Sequence, residues 1–195
     1  MSLFDIIAPI YGLFFNFQLK YFERIQNKVS YELDISQYNS VLDIGCGTGA
    51  LCKTLYDRGL DVTGVDPSIG MIKQAKKKLK DTPVNFSTIK VGDELPFEDK
   101  SFDVVITTYV AHGLKSEERI ELYEEMKRIA REIVIIHDYN KKRAILTTIV
   151  EWLERGDYFN FIKVAKEEMN EVFGKVREIN VDTRASWYIC YCSEK

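Results

Sequence analysis

Residues 41–55 read VLDIGCGTGALCKTL, and this stretch constrains the fold more than any other. The apolar run VLDI has strand character and carries one acid, Asp43. Three glycines follow at alternate positions, Gly45, Gly47 and Gly49. Leu51 and Leu55 then share one face of a helix over 50–58, which Gly59 breaks. Glycine tolerates positive φ and lets backbone approach a ligand closely. The start of the helix turns unpaired amides towards the same place. Strand, glycine turn and helix in this order predict an α/β sheet that presents backbone to a nucleotide-like ligand. A tight turn with no ligand is the alternative, and three alternate glycines behind an acid-bearing strand argue against it.

The rest of the chain extends that pattern. A helical stretch runs from about Asn16 to Leu33, with Leu19, Phe22, Ile25 and Val29 at three- and four-residue steps. DVTGVD is a second strand ending in Asp66, and Pro67 and Ser68 suit the start of a helix reaching about Lys80. A third strand lies within VNFSTIKV (84–91), and FDVVITT (102–108) reads as a buried fourth. A helix over about 116–130 carries Glu117 and Glu118 in its first turn, where the helix dipole favours them. EIVIIHDYN (132–140) holds a fifth strand. Alternating strands and helices predict a parallel sheet covered on both faces. The pattern then changes to a helical stretch over 141–173 and two strands, KVREINV and SWYICYC, whose short link DTRA fits only an antiparallel hairpin.

Chain-level properties narrow the function. A length of 195 residues suits one domain with a sizeable core, and 46% hydrophobic with 29% charged residues excludes a disordered or fibrous chain. A net charge of −3 provides no global attraction to nucleic acid or anionic lipid. Cys46, Cys52, Cys190 and Cys192 match neither a common zinc framework nor a secreted disulfide scaffold, so reduced, mostly buried thiols in a cytoplasmic protein are expected. The N-terminus MSLFDIIAPIYGLFFNFQLKYF is aromatic, but Asp5, Pro9, Gly12 and Asn16 interrupt it, so neither a membrane span nor a signal peptide is expected.

Asp66 lies 21 positions after Gly45 and closes the second strand. A carboxylate there can accept hydrogen bonds from both ribose hydroxyls, and the alternative is a helix-capping acid. Dinucleotide and S-adenosylmethionine proteins share this device. The string G-C-G-T-G-A even satisfies a permissive dinucleotide fingerprint. Asp43 together with GDELPFEDKSFDVV (92–105) discriminates between the two. With VLDIGCGTG and VTGVDPSIGMIKQAKKKL, these residues resemble the class I S-adenosylmethionine-dependent methyltransferases. The resemblance is greatest to the small-molecule group that includes ubiquinone- and menaquinone-biosynthesis methyltransferases. It covers about residues 40–137, and FDIIAPIYGLFF adds a weaker N-terminal match.

The resemblance implies a Rossmann-like, seven-stranded, mostly parallel sheet with helices on both faces and an antiparallel C-terminal hairpin. It implies S-adenosylmethionine as cofactor and S-adenosylhomocysteine as product. The methionine end would lie over Asp43, Gly45, Cys46, Gly47 and Gly49. The ribose would lie on Asp66 beside Pro67. Asp93, Glu94 and Leu95 would meet the adenine, with Met71 and Ile72 packing on it. One domain over 1–195 is expected, comprising an N-terminal aromatic and helical lid (1–35), a cofactor-binding core (40–138), a helical insertion (141–173) and the hairpin (174–193).

Methyl transfer is a displacement that positioning alone can accelerate, so no catalytic residue need exist. A base is required only when the acceptor must lose a proton. His112 and Tyr109, after the fourth strand, are the catalytic candidates; His137, Asp138 and Tyr139 end the fifth. His112 has the proton affinity of a base near neutral pH, and a packing or capping role is equally open. No metal site is required by the spacing of His112, His137 and Asp138. TTYV stands where an N-P-P-Y motif would mark adenine- or glutamine-directed enzymes. A small-molecule acceptor and no nucleic acid are therefore expected. Phe4, Tyr11, Phe14, Phe15 and Phe17, with the 141–173 stretch, are expected to cover an apolar acceptor pocket, at least half of these rings serving ordinary core packing. Lys73, Lys76, Lys77 and Lys80 share a helix face that reads as solvated surface. A non-catalytic cofactor-binding sensor or accessory subunit of the same fold is the alternative function.

Overall fold

The computed structural model describes residues 3–90, 92–141 and 157–192. Seven strands form one sheet in the order β3-β2-β1-β4-β5-β7-β6. They are β1 (Ser40–Ile44), β2 (Asp61–Asp66), β3 (Asn85–Thr88), β4 (Phe102–Thr108), β5 (Ala130–Tyr139), β6 (Val176–Asn180) and β7 (Ala185–Tyr191). The described helices are α1 (Leu3–Leu13), α2 (Phe15–Val29), α3 (Ala50–Tyr56), α4 (Ile69–Lys78), α5 (Ser116–Ile129) and α6 (Tyr158–Phe173). The sheet is mostly parallel, with an antiparallel C-terminal pair, as the sequence predicts. Residues 142–156, most of the first half of the expected insertion, lie outside the described residues. The chain divides into two compact units, Met1–Leu95 and Pro96–Lys195.

In the first unit β1, β2 and β3 are parallel, with Val41 opposite Val62 and Val65 opposite Ser87. Val41, Leu42, Val62 and Val65 are buried, the continuous apolar run of strands covered on both faces. Gly64, inside β2, is the tightest point. A Cβ there would come within 2.8 Å of the Phe86 ring and 2.9 Å of the Cys46 and Cys52 sulfurs. α4 is capped by Ser68, whose hydroxyl accepts the Met71 amide at 3.1 Å. α1 is a helix where the sequence shows Pro9 and Gly12 as interruptions. Packing on α4 explains it: Gly12 lets Gln74 approach to 3.0 Å of where a Cβ would stand, and Asp5 and Ala8 lie against Gly70.

In the second unit β4 and β5 are parallel, while β7 runs antiparallel between β5 and β6. β5 begins at Ala130, directly after α5, two residues before the expected start. α5 and α6 are tied by Arg119, which is fully buried. Its guanidinium meets both carboxylate oxygens of Glu168 at 2.7 and 2.8 Å and Asp157 at 2.9 Å. Such a bidentate pair fixes geometry as well as charge. The parallel register places Thr108 opposite His137. The loops leaving β4 and β5 therefore start side by side at the carboxyl ends of the two strands.

Candidate functional site

In the first unit the glycine loop folds as a cradle. Gly45 and Cys46 amides both donate to the Val65 carbonyl, at 2.8 and 3.0 Å, which binds the loop to the end of β2. Gly45, Gly47 and Gly49 all have positive φ. At Gly47 the φ is +53° and a Cβ would meet nothing within 4 Å, so the backbone borders open space. Gly49 heads α3 and instead packs against Phe86 and Ala75. Two of the glycines therefore serve different ends: Gly47 leaves room, while Gly49 permits helix–strand packing.

Asp66 connects the loop to α4. Its carboxylate accepts the Gly47 amide at 2.9 Å and the Ser68 amide at 2.8 Å. Burial raises its pKa above the usual carboxylate range, and those two amides work against the rise. Asp43 lies deeper. Cys52 donates its thiol to Asp43 Oδ2 at 3.2 Å, while Oδ1 is buried with no hydrogen-bond partner among the described residues. Burial pushes the Asp43 pKa up to about 7, opposed by the Cys52 hydrogen bond and aided by the charge of Asp66. A buried oxygen without a donor is costly. An ammonium is the chemistry that would satisfy it.

The other expected cofactor contacts are placed as follows. Cys46 is buried, its sulfur beside Gly64. Pro67 is exposed, Met71 and Ile72 are buried on α4, Asp93 and Glu94 are exposed and Leu95 is buried. Two further residues bond the start of α4 and the glycine loop with no signal in the sequence. Asp5 of α1 accepts the Ser68 hydroxyl at 2.7 Å and the Gly70 amide at 3.0 Å, so it caps α4 from outside. Gln18 of α2 accepts the Thr48 hydroxyl at 3.2 Å. The N-terminal helices thus attach to the start of α4, through α1, and to the glycine loop, through α2. Their rings depart from the expected core packing. Phe15 is buried, whereas Tyr11, Phe14 and Phe17 are exposed, and the Phe4 side chain lies outside the described residues.

In the second unit the catalytic candidates converge. The His112 Nδ1 lies 2.8 Å from Asp138 Oδ1, and the His112 amide donates to Asp138 Oδ2 at 3.2 Å. The Tyr139 amide donates to Oδ1 at 2.8 Å. Asp138 is fully buried, and the two backbone amides that donate to it hold it in place as an acceptor. It selects the imidazole tautomer protonated at Nδ1, which leaves Nε2 as the basic nitrogen. Tyr109 holds a φ of +53°, a backbone conformation that is unusual for a bulky side chain. Its amide donates to the His137 carbonyl at 2.9 Å. The Tyr109 and Tyr139 rings stand 5.2 Å apart, and Tyr139 is 4.8 Å from the His112 ring. His137 has a different role: Trp187 donates to its Nδ1 at 3.1 Å, and burial lowers its pKa to about 4, so it stays neutral. Among the described residues no group of three or more His, Cys, Asp or Glu could hold a metal ion.

A glycine cradle at the end of β1 and an acid closing β2 are features that suit an adenosine-type ligand. The methyltransferase domain family matches residues 41–132. An uncharacterized methyltransferase of Geobacillus sp. is 34% identical over 122 residues, covering 60% of this chain and 55% of that protein. A demethylmenaquinone methyltransferase of Thermotoga maritima is 32% identical over 146 residues, covering 69% of this chain and 60% of that protein. The crystal structure of a putative S-adenosylmethionine-dependent methyltransferase from Methanococcus maripaludis superposes with a TM-score of 0.76 at 16% identity, covering 100% of this chain and 96% of that one. Residues 41–132 thus carry the likeness to a methyltransferase domain, and the fold is that of a class I methyltransferase. The chain spans 55% and 60% of the length of these two curated relatives.

Proposed function

We propose that this protein transfers a methyl group from S-adenosylmethionine to a small-molecule acceptor by in-line displacement. The observation that carries the proposal is the joint arrangement of Asp43, Gly47 and Asp66. Gly47 leaves open space beside backbone amides, Asp43 offers an unmatched buried acceptor, and Asp66 is anchored by two amides with lone pairs to spare. These groups fit the methionine ammonium and the ribose hydroxyls. Asp93 and Glu94 are exposed acceptors for an adenine amino group, and Leu95 and Met71 are assigned to its apolar faces. The cofactor supplies an electrophilic methyl on a sulfonium whose thioether leaves readily.

The chain's own share of the chemistry is binding, positioning and proton removal. Asp138 holds His112 with Nε2 basic, and in this reading Nε2 takes the proton that the acceptor loses. Tyr109 lines the acceptor side. The dyad favours an acceptor that carries a proton to lose, and it disfavours the reading as a non-catalytic sensor, which needs no oriented base. We assign residues 1–35 to a cover over the acceptor, supported by the Asp5 and Gln18 bonds to α4 and the glycine loop. A cytoplasmic setting is supported by the four free thiols. No helix among the described residues is long and apolar enough to cross a membrane.

Calorimetric titration tests the cofactor. S-adenosylmethionine and S-adenosylhomocysteine should bind, NAD should not, and Asp66→Ala should lose both. A folded, ligand-free protein that binds neither adenosyl compound would refute the reading. Turnover of any acceptor would reject the sensor alternative.

A further inference from the structure

The structure exposes apolar side chains of α1 and the start of α2 beside a row of lysines, and the proposed cover accounts for neither the outward-facing side chains nor the lysines. α1 and the first residue of α2 lie along one stripe of α4: Asp5 and Ala8 meet Gly70, Gly12 meets Gln74, and the Phe15 ring lies 5.3 Å from the Lys78 ammonium. Residues 70, 74 and 78 are successive turns of α4. Among the described residues, several apolar side chains of α1 and the start of α2 outside that stripe are exposed. Ile10 is 56% exposed, Leu13 82%, Phe14 57% and Phe17 72%. Apolar side chains this exposed and this close in sequence form a patch rather than isolated surface residues.

The charge along α4 is basic. Lys73 and Lys77 each lie one residue, or about 100° of helical rotation, from the stripe that α1 covers. They therefore flank α1 on its solvent side. Lys76, Lys78 and Lys80 are exposed as well. α4 contains no acidic residue, and none of these five lysines has a described ion-pair partner. The chain as a whole is negative, at −3, so this basic row is a local feature. An aliphatic and aromatic helix edged by lysines is complementary to a bilayer surface carrying anionic headgroups: the side chains enter the acyl boundary and the ammonium groups meet phosphate. A second copy of the chain fits less well, since self-complementary pairing of this patch brings like-charged rows together. A single-stranded nucleic acid would use the lysines and rings but not Ile10 or Leu13.

We infer that α1, the start of α2 and the lysine row of α4 dock this protein on an anionic membrane surface, with Leu13, Phe14 and Phe17 inserted. The inference is independent of the methyl-transfer reading. It is tested by co-sedimentation of the full chain with vesicles of phosphatidylcholine alone and of phosphatidylcholine with phosphatidylglycerol. The expected result is binding to the mixed vesicles, weakened by salt, with little binding to phosphatidylcholine. Leu13→Ser/Phe14→Ser/Phe17→Ser should abolish it. Lys73→Gln/Lys77→Gln should weaken it about 30-fold, at roughly one surface charge interaction per lysine. All replaced side chains are exposed, so circular dichroism should be unchanged. Failure of the wild type to bind mixed vesicles overturns the inference. So does equal binding to both vesicle types that is indifferent to the lysine changes. A dimer in sedimentation velocity that the serine variant dissociates, without vesicle binding, assigns the patch to a second copy instead. Retention by single-stranded RNA, without vesicle binding, overturns it in favour of nucleic acid.

Discussion

The Asp138 carboxylate receives His112 twice, at the ring Nδ1 (2.8 Å) and at the backbone amide (3.2 Å). The two bonds fix both the position and the tautomer of the imidazole. With an acceptor that must lose a proton, Asp138→Asn should lower kcat by about 10²-fold or more, because the amide no longer enforces the Nε2 lone pair. Binding of S-adenosylmethionine should be unchanged. Steady-state kinetics and calorimetry on the same preparations check the separation. Equal loss of cofactor binding would assign Asp138 to structure alone.

Asp43 should make cofactor binding depend on pH. Its pKa in the ligand-free protein is about 7, and an adjacent ammonium favours the carboxylate. Affinity for S-adenosylmethionine should therefore fall as pH drops below about 7, with a proton released on binding. Titrations in buffers of different ionisation enthalpy measure that proton. Asp43→Asn should weaken binding and remove the pH dependence.

The same group affects stability with a definite sign. A folded pKa raised from 3.8 to about 7 means that the folded state holds more protons between those values. Asp43 alone therefore makes stability fall as pH rises through that window. His137 acts in the opposite direction: its pKa is lowered from 6.5 to about 4, so its contribution is lost as pH falls between those values. Asp43→Asn should gain stability relative to the wild type as pH rises from 3.8 to about 7. Urea melts across the range test this.

Two glycines should respond differently to alanine. Gly64→Ala forces a Cβ to within 2.9 Å of two sulfurs and closer still to Phe86. It should cost about 1–3 kcal/mol of stability. Gly47→Ala meets no neighbour but keeps a positive φ. It should cost about 1 kcal/mol and weaken cofactor binding more than it weakens the fold. Thermal melts and calorimetry together separate the two effects.

Removing Glu168 should be among the most damaging changes in the second unit. Glu168→Ala leaves the fully buried Arg119 without its bidentate partner and should cost about 3–5 kcal/mol. Asp157→Ala should cost less, since its side chain is 30% exposed. Denaturant midpoints rank the two.

Local pattern determined much of this protein. VLDIGCGTG, DVTGVD and FDVVITT announced their strands and the glycine turn, because apolar runs and glycines act through neighbouring residues. The alternation of strands with helices and the short-linked hairpin foretold a mostly parallel sheet with an antiparallel end, and the family resemblance implied its seven strands. The helix at 3–13 was not legible: Pro9 and Gly12 speak against it locally, and only its packing on α4 holds it. Asp5 capping α4 from 63 residues away left no sequence signal. Nor did the burial of Arg119 between Glu168 and Asp157. The His112–Asp138 pair lay halfway between. Both residues were visible at strand ends, yet their contact depends on the parallel register that sets Thr108 opposite His137. Sequence periodicity reports what a residue does within its own element. Which distant carboxylate it meets, and which rings are left facing solvent, is decided only when the elements pack.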